Sequence, residues 1–247
     1  MRRPRTLVTS LALGALVLAL APVTAAGAVT PRLPDLGMAP LRDFSIDRSG
    51  GARLLRFTTE IVNVGSGRFA LSGRRSSTSF GVMSVRQLLA NDDGSTSTLR
   101  TQAVMEYSGD GHDHWHVRDL ERYSLQRVGS TREVGRGAKA GFCFWDSDRY
   151  RALPGSPSAP VYVSCGSQAS TTVDMGLSVG WGDIYPWYLA FQWIDLTGLP
   201  NGDYVVRAQA DPHAFFTEAT RANNATWTRI RLSSTDQVTV LEQGPAA

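Results

Sequence analysis

Lysine is all but missing from this chain: of 25 lysine and arginine residues, Lys139 is the only lysine. A compositional bias toward arginine accounts for the rest, but it does not explain why one lysine stays. Arginine serves every ordinary electrostatic role and offers no nucleophilic primary amine, so the retained lysine marks a place where an amine is needed. Cysteine is nearly as scarce, with two in 247 residues, at a spacing that is not that of a zinc site. Long apolar runs are absent except from Leu7 to Ala21, which is too short and too weakly flanked for a good membrane span. Arg2, Arg3 and Arg5 precede that run and Ala26-Gly27-Ala28 follows it, so residues 1–28 are expected to be an export signal and the mature protein secreted. Removing them takes away three arginines and no acid, which brings the formal charge from +3 to zero. Nucleic-acid binding and polybasic membrane contact are therefore not expected. In an exported chain the two cysteines, Cys143 and Cys165, most simply form one disulfide; the alternative is two thiolates on a metal.

Long amphipathic helices are also missing. Short apolar or alternating runs alternate with Gly, Asn, Asp and Ser clusters, and they predict strands over 54–64, 82–89, 102–107, 112–117, 123–128, 141–145, 161–163, 189–194, 204–210 and 225–232. Asn63-Val64-Gly65-Ser66-Gly67, Asn91-Asp92-Asp93-Gly94 and Pro200-Asn201-Gly202-Asp203 are the clearest turns. This pattern predicts an all-β fold, an immunoglobulin-like β-sandwich with long functional loops. One domain is expected over residues 29–235, with a tail over 236–247. The segment from Arg149 to Gly182, rich in Ser, Gly and Pro, reads as a long loop that is functional or partly disordered.

Against these absences stands His112-Asp113-His114-Trp115-His116, which holds three of the four histidines. In a strand, alternate side chains share a face, so the three imidazoles would line up about 6.7 Å apart. Imidazole suits copper, zinc, iron or nickel, whereas calcium and magnesium want oxygen ligands. Three ligands leave positions on the ion open, as catalysis requires. His213, after Asp211-Pro212, reads as a surface residue in a turn.

In order along the chain, several segments resemble the lysyl oxidase family in a bacterial, secreted form. Leu33-Pro34-Asp35-Leu36 resembles the domain entry, and Leu54-Leu55-Arg56-Phe57 with Asn63-Val64-Gly65 resembles the first core strand and its turn. His112 to His116 resembles the copper-binding segment, and Lys139-Ala140-Gly141-Phe142-Cys143 the segment of the cofactor lysine. Asp183-Ile184-Tyr185 and Gln192 to Thr197 resemble the segment of the cofactor tyrosine, and Gly202-Asp203-Tyr204 with Glu218 through Asn224 the closing strands. The resemblance implies copper on His112, His114 and His116, and lysine tyrosylquinone, a cofactor made by joining Lys139 to the oxidised ring of Tyr185. It implies a protein-lysine 6-oxidase-like amine oxidase that turns a primary amine, peptidyl lysine included, into an aldehyde, releasing ammonia and, from molecular oxygen, hydrogen peroxide. A base must take the substrate's α-proton, and an aspartate in a partly desolvated site suits that task. Asp183, two residues from Tyr185, is the candidate; its other possible role is a turn or a hydrogen bond to a histidine.

The chain departs from the animal pattern by having Gly109 three positions before His112 and only one cysteine pair. These differences leave the proposed ligands and cofactor residues in place but weaken any inference about substrate. Two other function classes compete. His114-Trp115-His116 with Glu121, and Gly129 beyond, approaches the cupin arrangement of a metal-dependent oxygenase. A secreted immunoglobulin-like binding domain with an incidental metal is the non-enzymatic alternative.

Overall fold

The computed structural model describes residues 29–108, 112–139 and 141–247; the expected export signal lies outside them. Sixteen strands follow one another: β1 (Leu36–Met38), β2 (Arg42–Asp47), β3 (Leu54–Asn63), β4 (Phe69–Arg74), β5 (Val82–Ala90), β6 (Thr96–Ser108), β7 (His114–Arg118), β8 (Glu121–Arg127), β9 (Glu133–Gly137), β10 (Gly141–Phe142), β11 (Thr172–Leu177), β12 (Gly182–Tyr185), β13 (Trp193–Asp195), β14 (Gly202–Ala210), β15 (Ala225–Leu232) and β16 (Val238–Gln243). No α-helix occurs among the described residues, and the chain is all-β as the sequence pattern indicates.

One sheet runs β1-β3-β13-β9-β8-β14-β15-β16, with β12 and β2 also paired to β3; the other runs β10-β7-β6-β5-β4-β11. In β5 burial alternates, with Met83, Val85, Gln87 and Leu89 inward, as a half-buried antiparallel strand requires. Strand β3, paired on both sides, is buried from Phe57 through Asn63. Phe57, Phe69, Trp115, Phe142, Phe144 and Tyr204, from both sheets and the loop after β10, join one hydrophobic cluster. Each such side chain contributes roughly 1.5–3 kcal/mol by leaving water.

Four expectations need correction, the first being the strand over 189–194, of which only the end joins β13 at Trp193–Asp195. The segment 149–182 is not structureless, since it contains β11, which pairs with β4, and Asp146 accepts hydrogen bonds from the backbone of Val161, Tyr162 and Ser178. Residues 161–163 form no strand; their backbone is engaged by that carboxylate instead. The residues expected as a tail hold β16, which pairs with β15. The turn at Asn63 is built as read: its side-chain oxygen accepts from the N–H of Asp35 and of Gly65, and its amide donates to Gly67 and Leu177 carbonyls.

Candidate active site

Strand β7 hangs between β6 and β10, and its two faces carry different chemistry. Trp115 and Val117 point into the core at 0% exposure, and the Trp115 indole donates to the Ser167 carbonyl at 2.8 Å. The period of two then puts His114 and His116 together on the opposite face. His112 precedes the strand rather than lying in it, because Asp113 adopts a left-handed φ of 44°. The three imidazoles nonetheless converge: one nitrogen from each of His112, His114 and His116 lies within 4.8 Å of the others, and the Nε2 atoms of His114 and His116 are 2.8 Å apart.

Lys139 lies between β9 of one sheet and β10 of the other, so the chain's passage between sheets delivers the only lysine to the histidines. Its Nζ sits 3.3 Å from the centroid of the Tyr185 ring and 5.2 Å from that of Phe142. Tyr185, at the end of β12, is buried, stacks against Phe142 at 4.3 Å, and has its hydroxyl oxygen held by the Cys143 N–H at 2.9 Å. Its ring centroid is 6.2 Å from that of His112. Three histidines, the lysine and the tyrosine, distant in sequence, are thus in one place.

Cys143 and Cys165 form a disulfide, so neither sulfur joins the histidines. Asp183 is buried on β12, and a cavity of about 360 Å³ is walled by Asp183, Tyr185, His112 and His114 together with Cys143, Trp145 and Leu189. Burial pushes its carboxyl well above the usual carboxylate range, opposed by the hydrogen bond from the Ser147 hydroxyl at 2.9 Å and by the Lys139 charge. A second cavity, of about 120 Å³, is lined by His112, His116, Lys139 and Phe191 and rimmed by Glu106 and Arg118, which are paired at 3.0 Å.

The sequence pattern misses a buried polar network beside Lys139. The Tyr123 hydroxyl donates to Glu121 at 2.9 Å, its oxygen lies 2.9 Å from the Gln192 side-chain oxygen and 3.0 Å from the Thr59 hydroxyl, and the Gln192 amide donates to Thr59. These residues come from strands β3 and β8 and from the turn before β13, and no spacing in sequence marks them as a network. Glu121 stands in this network and lines a cavity with Lys139, outside the histidine group, so the cupin set of two histidines and a glutamate is not formed. His213 is exposed on that cavity's edge and does not join the other histidines.

The family model for lysyl oxidase matches residues 89–242. The chain is 26% identical over 177 residues to lysyl oxidase homolog 3B of Danio rerio, covering 71% of this chain and 17% of that protein. It is 31% identical over 121 residues to protein-lysine 6-oxidase of Gallus gallus, covering 49% of this chain and 26% of that protein. Protein-lysine 6-oxidase of Sus scrofa is 30% identical over 121 residues, 49% of this chain and 44% of that protein. The matched stretch therefore spans less than half of each of these relatives.

Proposed function

Because this chain belongs to the lysyl oxidase family, we propose that it is an exported, copper-dependent oxidase of primary amines, with peptidyl lysine among its candidate substrates and molecular oxygen as oxidant. The observation that carries this reading is the Lys139 amine on the face of the Tyr185 ring, beside three converging imidazoles.

The donor set fits the metal. It is all nitrogen, which suits copper and not calcium or magnesium. The His114 and His116 nitrogens, 2.8 Å apart, lie close enough to serve one ion. His112, His114 and His116 would hold the ion. Copper would supply redox chemistry toward oxygen, and the quinone made from Lys139 and Tyr185 the electrophilic carbonyl at which an amine is oxidised to an aldehyde.

The chain's own groups then have clear tasks. Phe142 and the Cys143 N–H fix the plane and the oxygen of Tyr185. Asp183, in the same cavity wall, takes the substrate's α-proton; burial has already raised its affinity for one. The catalytic domain runs from residue 29 through β16, residues 1–28 are the export signal, and two sheets around one core favour a sandwich of the immunoglobulin type.

The test is peptide mass spectrometry after copper loading in air, with peroxide release from alkylamines measured in parallel. A covalent link between the peptides of Lys139 and Tyr185, together with amine-dependent peroxide, is the expected result. Two unmodified peptides from fully copper-loaded protein would overturn the proposal.

A further inference from the structure

Glu121 is 2% exposed, yet only one of its carboxylate oxygens is engaged. Oε2 accepts the Tyr123 hydroxyl at 2.9 Å, whereas Oε1 is buried and has no hydrogen-bond partner among the described residues. Thr59 and Gln192 hold that tyrosine in turn, so the carboxylate is fixed from beneath. An idle oxygen on a buried carboxylate is costly to keep unless something in the site uses it. The carboxylate borders a cavity of about 330 Å³ whose wall also holds Lys139. The Lys139 charge opposes the upward push of burial on Glu121. Tyr185 lies against the same amine.

We propose that Glu121 is the positioning residue of cofactor assembly: across the cavity they share, its charge orients the Lys139 amine toward Tyr185, and it accepts the ammonium's extra proton before the amine bonds to the ring. The proposal rests on the crosslink reading above. In the joining step one C–N bond forms, and one N–H and one ring C–H are lost. The electron pair and two protons go to molecular oxygen, which leaves as hydrogen peroxide. The extra proton of the ammonium must go elsewhere first, and Glu121 is placed to accept it. That transfer turns a buried carboxylate and a half-buried ammonium into two neutral groups, which burial favours. Asp119, Arg122, Glu133 and His213 line the same cavity but are exposed, so water and salt screen their charges. Tyr123 serves Glu121 as a donor, and Asp183 acts on the amine from the histidine side.

The experiment follows crosslink formation by peptide mass spectrometry in the full chain, copper-loaded in air, for wild type and Glu121→Gln. Copper content and the melting midpoint are measured on the same samples. Glutamine keeps the size and the acceptor for Tyr123 but removes the negative charge. The expected result is unchanged copper content and melting, with crosslinking slowed about tenfold or more; Glu121→Asp recovers part of the rate. Crosslinking of Glu121→Gln at the wild-type rate overturns the proposal. A wild-type protein that forms no crosslink overturns the reading beneath it, and the two failures are thereby told apart. Should Glu121→Gln not fold, Glu121→Asp carries the test: withdrawing the carboxylate by one methylene slows crosslinking, and an unchanged rate overturns the proposal.

Discussion

Lys139→Arg keeps the positive charge over Tyr185 and removes the primary amine. Peroxide release from amines is expected to vanish while copper binding, measured by metal analysis, stays at the wild-type level. Residual turnover above about one part in a thousand would contradict the assignment of Lys139. Asp183→Asn tests the proton acceptor: kcat is expected to fall about a hundredfold or more while the crosslink still forms, as steady-state kinetics beside mass spectrometry can show. The residues of the candidate site that stand out in the sequence are those whose chemistry is rare there: three alternating histidines and a lone lysine. Tyr185 gains its meaning only from its order relative to them. Glu121, Tyr123, Gln192 and Thr59 carry no such mark, because a buried hydrogen-bond network depends on which strands face one another. Alternation brings His114 and His116 together, but His112 reaches them past a left-handed turn at Asp113 that alternation does not contain.

At the scale of the strand, Asp203 joins β14 to β15 by accepting hydrogen bonds from Arg229 and Arg231. Those bonds, Arg231's foremost, hold its carboxyl down at about 2, below the usual value of 3.8. A depressed folded value means stability that is present above the unfolded value and lost as pH falls through the folded one. Asp203→Asn is thus expected to be less stable than wild type in urea at pH 7, with the difference closing between pH 4 and pH 2; an equal gap at both ends would show that the bridge contributes nothing. At the turn after β3, a side chain on Gly65 would begin 2.5 Å from the backbone of Leu33, Pro34 and Asp35. Gly65→Ala should accordingly cost about 1–3 kcal/mol, read as a fall in the melting midpoint. Strands such as β5 and β15, with one face inward, are legible from alternation. β11 and β12 are not: both hold glycine and aspartate, and they form because β4 and β3 offer backbone partners.

Across the whole molecule, the disulfide closes a loop of 22 residues between β10 and the segment before β11. Replacing both cysteines by serine is expected to lower stability by about 3 kcal/mol in urea titrations. It should also slow crosslinking, since the Cys143 N–H holds the Tyr185 oxygen. The all-β class and the single core were legible from punctuation and period; the division of strands between two sheets was not, because pairing partners such as β3 and β13 are far apart in sequence. The crossing from β9 to β10 gives maturation a mechanical meaning. A bond from Lys139 to Tyr185 would close a second loop, roughly twice as long as the disulfide's and wholly enclosing it, joining the crossing between the sheets to β12. Two nested rings of this kind would restrict the unfolded chain far more than the folded one, so a protein that made its own cofactor would also staple itself, and oxygen would set its lifetime as well as its activity.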